Sequence, residues 1–148
     1  MARTFKGRPV IAGELPPTPA VVSRQGVNTL ASFQKSALMH KKTVICSDQN
    51  NPDIYNKELT GKALCLPQTI GSTTGGMVLF TVCSLGIAPA AMLFAEPIDS
   101  LAAAGVILSE VWAKDHIIAV DTLGAEFLEY VQDGMQVSVG ADGVVTVA

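Results

Sequence analysis

The sequence contains little charge and few aromatic residues. Only 16% of its 148 residues are charged and 5% are aromatic, and the formal net charge at pH 7 is −3. Basic residues never form a cluster larger than a pair or two, which argues against binding to nucleic acid or to an anionic membrane. This low charge density, combined with 49% apolar residues, predicts that a partner covers part of the surface.

Paired cysteines and long apolar runs are also missing. The three cysteines, Cys46, Cys65 and Cys83, are odd in number and form no Cys-x-x-Cys motif. This favours reduced, buried thiols over a disulfide framework or a metal site in this chain. No apolar run is long enough to span a membrane, and the N-terminal residues lack the apolar stretch of a signal peptide. We therefore expect a cytoplasmic protein with no membrane partner.

Short apolar runs separated by turn-forming residues predict an α/β fold that is rich in strands and has few short helices. The length suits one domain over residues 1–148. We expect a helix at Met77–Leu85, ended by Gly86, and a helical turn at Ile98–Ala104, ended by Gly105. The predicted strands are Val10–Gly13, Ala20–Val22, Thr43–Cys46, Ala63–Pro67, Ala90–Phe94, Val106–Leu108, Ile117–Val120 and a hairpin of Val137–Val139 with Val144–Val147.

Three segments have less regular patterns. Residues 15–19, Leu-Pro-Pro-Thr-Pro, lack an amide hydrogen at three positions, so we expect a rim or a turn there rather than sheet interior. Residues 23–42 are polar and mixed, and no element is assigned to them. Trp112, the only tryptophan, follows a strand-like pattern and belongs either to the core or to an interface.

A glycine-rich turn, Ile70-Gly-Ser-Thr-Thr-Gly-Gly76, joins a predicted strand to the predicted helix at residue 77. The first amide groups of a helix have no partner within the helix, and the helix dipole adds partial positive charge there, so such a start can bind a carboxylate or a phosphate. Ser and Thr before an apolar helix are also ordinary N-caps. No lysine follows Gly76, which excludes the phosphate-binding loop of nucleotide hydrolases. The sequence of the turn alone does not distinguish a helix N-cap from an anion-binding site.

The residues around this turn resemble the swivelling domain of the aconitase X family. The similar segments are Leu66–Gly75 (LPQTIGSTTG), Leu85–Ala91 (LGIAPAA) and the stretch from Glu96 to Ile107, with shorter matches at Gly61–Leu64, Ser32–Phe33 and Asp48-x-x-Asn51-Pro52. The resemblance covers roughly residues 10 to 112 and is dense only from about residue 61 to residue 105.

This resemblance implies a swivelling β/β/α domain that is the small subunit of a heteromeric hydro-lyase, a dehydratase of a small hydroxy acid. It assigns the catalytic base to Ser72. The large subunit is expected to carry an iron–sulfur cluster or iron and most of the pocket, so the isolated chain is expected to be inactive. Substrate or anion contacts are expected from Gly71, Thr73, Thr74, Gly75, Ser32, Asp48 and Asn51.

Several positions depart from the family pattern, among them Thr74-Gly75-Gly76 and Gln34-Lys35-Ser36, and two of the departures keep other hypotheses open. Ile70 replaces an arginine, which removes a fixed charge, and Asn51 replaces a histidine, which removes a group that exchanges protons near neutral pH. Another substrate, or a non-catalytic anion-binding module that self-associates as a homo-oligomer, is therefore the alternative. The motif Thr74-Gly-Gly-Met77 also resembles a phosphohistidine swivelling domain, but Phe80 occupies the position of its histidine.

The loop at residues 48–53 contains two aspartates, Asp48 and Asp53, beside two asparagines. It lacks the glycine and the terminal glutamate of a calcium-binding EF-hand loop. Such a composition favours Asx turns, in which a side-chain oxygen accepts a hydrogen bond from a nearby backbone amide. We expect Asx turns here.

Overall fold

The structure is a computed structural model and describes residues 2–39, 41–71, 74–113 and 115–148. Its helices and strands, in chain order, are β1 (Arg3–Lys6), β2 (Arg8–Ile11), β3 (Leu15–Val22), β4 (Val27–Asn28), α1 (Thr29–Leu38), β5 (Ala63–Leu66), β6 (Thr69–Ile70), α2 (Gly75–Ser84), β7 (Ala91–Phe94), α3 (Ser100–Trp112), β8 (Ile118–Asp121), α4 (Ala125–Tyr130), β9 (Gln136–Val139) and β10 (Val144–Val147). Among these described residues, no helix is both long and apolar enough to cross a membrane.

The main sheet has eight strands in the order β1-β10-β9-β3-β5-β7-β8-β2. Its centre, β3-β5-β7-β8, is parallel, and the outer strands are antiparallel. Residues 63–66 and 91–94 are buried throughout, as expected where both faces of a parallel sheet are covered. These two predicted strands and the C-terminal hairpin are confirmed.

Two apolar cores lie on opposite faces of the central strands. Leu64 and Leu66 of β5 join the core beneath α1, α2 and α3. Ala63 and Cys65 of the same strand join the core formed with α4, β1, β9 and β10. Successive residues of a strand point to opposite faces, so one short strand supplies both cores. Helices α1, α2 and α3 therefore form one layer, and α4 with strands β1, β9 and β10 forms the other, which confirms the expected strand-rich β/β/α fold.

Strand β3 begins five residues earlier than expected, because its proline-rich half needs a partner on only one side. Residues 15–19 pair with β9 alone, with a bulge between Leu15 and Thr18, whereas Ala20–Val22 also pairs with β5. A proline has no amide hydrogen to donate and is tolerated where one edge of a strand has no neighbour. The prediction that residues 15–19 lie outside the sheet interior is confirmed, whereas the prediction that they form no strand is wrong.

Helix α3 replaces two elements that were predicted separately. The expected turn at Ile98–Ala104 and the expected strand at Val106–Leu108 form one helix from Ser100 to Trp112. Gly105, expected to end the helix, lies instead at its closest approach to α2, where an added Cβ would stand 2.6 Å from the carbonyl oxygen of Gly76. The glycine is needed for helix contact, and the helix continues through it.

Two further segments differ from expectation. The unassigned residues 23–42 contain α1, whose start is fixed by Asn28: its side-chain oxygen accepts a hydrogen bond from the Ala31 amide at 3.0 Å. The strand expected at Thr43–Cys46 is a loop with one bridge, between Ile45 and Glu58. Pairing with residues 57–59 does not extend beyond this bridge, because the Val44 and Ile45 amides donate to side chains, to Thr60 Oγ1 at 2.7 Å and to Ser36 Oγ at 3.2 Å.

Candidate functional site

Three helices begin beside one cavity at the carboxyl ends of the parallel strands. Its volume is about 230 Å³. The start of α1 contributes Thr29, the turn before α2 contributes Thr69–Gly71, α2 contributes Gly75, and the start of α3 contributes Asp99, Leu101 and Ala102. Ligands of open α/β sheets commonly bind at this edge. Three helix N-termini add partial positive charge around the cavity, which suits an anionic ligand.

Two glycines allow the glycine-rich turn to lie directly against α1. Gly71 has a φ of +103°, which L-amino acids with a side chain rarely adopt, and an added Cβ would stand 2.6 Å from Asn28 Nδ2. At Gly75 an added Cβ would stand 2.5 Å from Thr29 Oγ1. The short strands β4 and β6 pair in parallel beside them. Because these two positions have no Cβ, the turn approaches the start of α1 closely, and Thr29 of that helix forms part of the cavity wall.

The three helix starts are not capped alike. Asn28 caps α1 by accepting from the Ala31 amide, and Asp99 caps α3 by accepting from the Ala102 amide at 3.0 Å and from the Thr69 hydroxyl. Thr74, at the corresponding position of α2, makes no side-chain cap hydrogen bond within the described residues. The starts of α1 and α3 are therefore each held by a side-chain cap, from Asn28 and from Asp99.

Sequence analysis did not single out the residues that support this cavity from α1 and α3. Asn28, Thr29, Thr69 and Asp99 were absent from the expected site. Asn28 and Asp99 each precede an apolar helix at the N-cap position, and an asparagine or aspartate there is a recognised helix start. That signal was available in the sequence, but it indicates a helix start and does not indicate that three starts meet.

The expected base, Ser72, and its neighbour Thr73 lie outside the described residues, so their roles stay predictions. Gly71 and Gly75 line the cavity, and Thr74 lies immediately before α2. Ile70 also lines the cavity and is half exposed, at the position where the family pattern has an arginine.

Among the described residues, no cationic side chain lines the cavity. Asp99 is the only charged residue of the described chain that lines it, and the whole stretch from residue 63 to residue 113 contains no lysine or arginine. Backbone amides and helix dipoles are therefore what this part of the chain offers to an anion, and a full positive charge has to come from another source.

Ser32, Asp48 and Asn51 do not line this cavity. Ser32 is fully buried in α1 beside the Cys46 thiol, and its hydroxyl has no hydrogen-bond partner of ordinary geometry among the described residues. Asp48 accepts from the Asn50 amide at 3.0 Å. The structure therefore separates this group from the glycine-rich turn, and its part in anion binding stays a prediction.

Asn51 is buried and holds its loop together. Its side-chain oxygen accepts from the Asp53 amide at 3.2 Å, and its Nδ2 donates to the Ser23 hydroxyl at 3.0 Å. With the Asp48 contact, these bonds confirm the predicted Asx turns. The asparagine is thus explained by local structure without a ligand.

A larger cavity, of about 540 Å³, lies at the other end of α1. Lys35, Lys41 and Lys42 line it with Met39, and Met39 is about 15 Å from Thr29 at 1.5 Å per helical residue. Basic residues near a helix C-terminus complement the negative end of the helix dipole, which explains them without a ligand. We therefore assign the candidate site to the smaller cavity.

The cysteines do not provide a metal site. Cys46, Cys65 and Cys83 are free, and each has no solvent exposure. Burial raises the pKa of all three thiols, whereas a metal requires the thiolate. No group of three or more His, Cys, Asp or Glu side chains within the described part of the chain is placed to hold a metal ion. These residues therefore do not fit an iron or iron–sulfur group.

Comparisons with known proteins match nearly the whole chain. The family model of the aconitase X swivel domain matches residues 4–147. The chain is 32% identical to the phosphomevalonate dehydratase small subunit of Aeropyrum pernix over 97% of this chain and 92% of that protein. It is 33% identical to the small subunit of the same name from Methanocella arvoryzae over 86% of each. A crystal structure of Thermococcus kodakaraensis aconitase X in its holo-form superimposes with a TM-score of 0.81 at 26% identity, covering 99% of this chain and 98% of that chain.

Proposed function

The chain belongs to the aconitase X swivel domain family, and we propose that it is the small subunit of a phosphomevalonate dehydratase, a hydro-lyase that it forms with a large subunit. The observation that carries this proposal is similarity over most of the chain: small subunits of that name align with 97% and 86% of it. Neither relative is much longer than this chain, since the alignments cover 92% and 86% of them. A large-subunit partner follows from the name.

The negative charge of the proposed substrate suits the partial positive charge of the helix N-termini around the cavity. Phosphomevalonate is a hydroxy acid with a carboxylate at one end and a phosphate at the other. Its dehydration removes a proton from the carbon beside the carboxylate and a hydroxyl group from the next carbon, and the two leave as water. A helix start stabilises negative charge on a bound carboxylate and on an enolate-like transition state.

We assign the proton removal to Ser72. It lies three residues before Gly75, the first residue of α2, so the dipole of that helix would act on its hydroxyl. A serine hydroxyl is a weak acid, and positive potential lowers the free energy of its alkoxide. Gly71, Thr73, Thr74 and Gly75 would hold the substrate carboxylate in the same turn.

The large subunit has to complete the site in two respects. The substrate needs cationic partners, and residues 63–113 provide none. The iron or iron–sulfur group that the family resemblance implies does not fit the described cysteines, because they are buried and burial raises the pKa of each thiol. We therefore assign both to the large subunit, and no step of the proposal passes through this chain's thiols.

Co-expression of the chain with the aconitase X large subunit of the same genome tests the proposal. The complex, purified without oxygen, is expected to convert phosphomevalonate to its anhydro product, detected by mass spectrometry as the loss of water, whereas each subunit alone is inactive. Turnover by this chain alone, or no turnover by an assembled, iron-loaded complex, would contradict the proposal.

The variant Ser72→Ala tests the base. Removal of a general base typically lowers the rate by about 10²- to 10⁴-fold, so kcat should fall by that factor while KM changes little. Ser84→Ala, at the exposed end of the same helix, is the matched control and should keep full activity. Wild-type turnover by Ser72→Ala would remove Ser72 from catalysis. Anion binding without turnover in the wild-type complex would favour the binding-module alternative.

A further inference from the structure

Helix α3 exposes an apolar stripe to solvent over its whole length. Leu101, Ile107, Leu108, Val111 and Trp112 are 38%, 49%, 39%, 63% and 74% exposed. Their spacing of three, four or seven residues puts them along one side of the helix. The opposite side, which includes Ala102, Gly105 and Val106, is buried. A helix that is apolar on both sides is expected where both sides become covered.

The stripe belongs to one layer of the molecule only. Among the described residues, every large apolar side chain with exposure above about one third lies between Leu38 and Trp112. None belongs to the opposite layer, which contains β1, β9, β10 and α4. Scattered exposed leucines are ordinary, but a concentration on one helix marks an interaction surface.

The stripe begins at the candidate site. Leu101 is both its first residue and part of the wall of the 230 Å³ cavity. From Leu101 to Trp112 the stripe runs about 16 Å, at 1.5 Å per residue. The close contact of Gly105 with Gly76 packs α3 directly against the first turn of α2, so the stripe lies beside the start of that helix. A partner seated on α3 therefore reaches the mouth of the cavity.

We propose that the exposed stripe of α3 is the surface on which the large subunit docks, so that the same contact completes the candidate site. This inference rests on the proposed function for the existence of the large subunit. Charge favours that occupant over a second copy of this chain. Helix α3 has one charged residue, Glu110, and residues 63–113 contain no cation, so a second copy that packs its own α3 against this face brings no cation from those residues. A large subunit that presents apolar residues with lysine or arginine beside them would cover the stripe and supply positive charge to the anion site.

The only tryptophan gives the test a direct probe. Trp112 is the single tryptophan of the chain and lies at the end of the stripe, so 5-fluorotryptophan incorporated into this chain alone gives one ¹⁹F signal. Titration with unlabelled large subunit is expected to shift that signal and to reduce its sensitivity to exchange of H₂O for D₂O, because the indole leaves solvent. An unchanged signal in an assembled complex would overturn the docking surface and leave the proposed function standing.

Charge substitutions measure how much binding depends on the stripe. Val111→Glu and Ile107→Glu are exposed changes outside the cavity and should keep the wild-type Tm, while raising the Kd for the large subunit by about 30-fold or more, as removal of an interface hot spot does. The matched control is Ala125→Glu, an exposed residue at the start of α4 in the opposite layer, which should bind as wild type.

The outcomes separate the docking surface from the proposed function. Recovery of wild-type kcat by Val111→Glu at saturating large subunit would support a docking role, because only assembly was lost. Wild-type Kd values for both stripe variants would overturn the surface alone. A homodimer of the isolated chain that Val111→Glu abolishes, with large-subunit binding unchanged, would assign the stripe to a second copy and overturn the proposal. No association of wild-type chain and large subunit would overturn both.

Discussion

The contact between Gly76 and Gly105 makes a prediction in which two physical effects have opposite signs. Glycine within a helix costs about 0.5 to 1 kcal/mol relative to alanine, so helix propensity alone predicts that Gly105→Ala stabilises the protein. The crossing of α2 and α3 predicts the reverse, because an added Cβ would stand 2.6 Å from the Gly76 carbonyl oxygen and 2.8 Å from its Cα. The sign of the change therefore identifies the effect that dominates.

The structure sets the size of the expected effect. Ordinary contact begins at 3.4 Å, so relief of the 2.6 Å contact needs a displacement of about 0.8 Å. The atoms in contact are backbone, and no side-chain rotation moves them away. Overpacking of this kind costs about 1 to 3 kcal/mol, and the gain in helix propensity of about 0.5 to 1 kcal/mol offsets only part of it, so the net loss is up to about 2.5 kcal/mol. For a chain of this size the Tm should fall by up to about 10 °C.

Urea unfolding at 25 °C with parallel thermal scans measures this difference. Ala104→Gly, at the exposed neighbouring position of α3, is the control, and its loss of stability calibrates the propensity term within the same helix. Gly76→Ala should also destabilise, since its Cβ would stand 2.6 Å from the Leu101 carbonyl oxygen. The double variant should lose less stability than the two single variants lose together, because one displacement of the helices relieves both contacts.

An unchanged or higher stability of Gly105→Ala would refute the reasoning. It would show that α2 and α3 lie far enough apart for a methyl group and that propensity dominates. Strict additivity of the two glycine variants would refute the shared crossing in the same way, since independent sites add.

Three further predictions concern buried polar groups. Burial alone would raise the pKa of the Asp121 carboxyl, but hydrogen bonds from Arg8 and from the Ile98 amide hold it below its usual value. Wild type should therefore lose stability as the pH falls below about 4. Urea unfolding at pH 7 and pH 3 should show that Asp121→Asn lacks this loss. The same fall in stability in both proteins would contradict the prediction. Asn51→Ala should lower the free energy of unfolding by about 1 to 3 kcal/mol, whereas unchanged stability with lost turnover would place Asn51 in substrate binding. The three thiols, buried with raised pKa values, should react with a thiol reagent at neutral pH only after unfolding, and labelling of the native chain would refute their burial.

Local signals predicted the elements whose determinants lie close together in the sequence. The apolar runs at residues 63–66 and 91–94 became buried strands, and α2 begins two residues before the predicted start. Gly105 shows where such signals fail. A glycine after an apolar stretch usually indicates a helix end, and its contact with Gly76, 29 residues earlier, is visible only once the helices are packed.

The same limit applies to the candidate site. The glycine-rich turn was recognisable because its residues are consecutive. Asn28, which caps the helix that brings Thr29 to the cavity, lies 42 residues before Ile70, and Asp99, which lines the cavity itself, lies 29 residues after it. Each residue alone carries only the signal of a helix cap. Their meeting depends on the order of the parallel strands, which the local pattern does not contain.

The distribution of charge in this fold argues for a site shared between two chains. A helix start offers roughly half a positive charge, whereas phosphomevalonate carries two anionic groups, so α2 alone leaves most of the charge uncompensated. Residues 63–113 contain no cation, and the lysines nearest to α1 lie at its far end. Under the proposed function, a chain with these properties positions the turn that contains Ser72 and leaves charge neutralisation to the large subunit. It follows that affinity for the substrate should belong to the complex, and the isolated chain should bind phosphomevalonate weakly and with little dependence on salt.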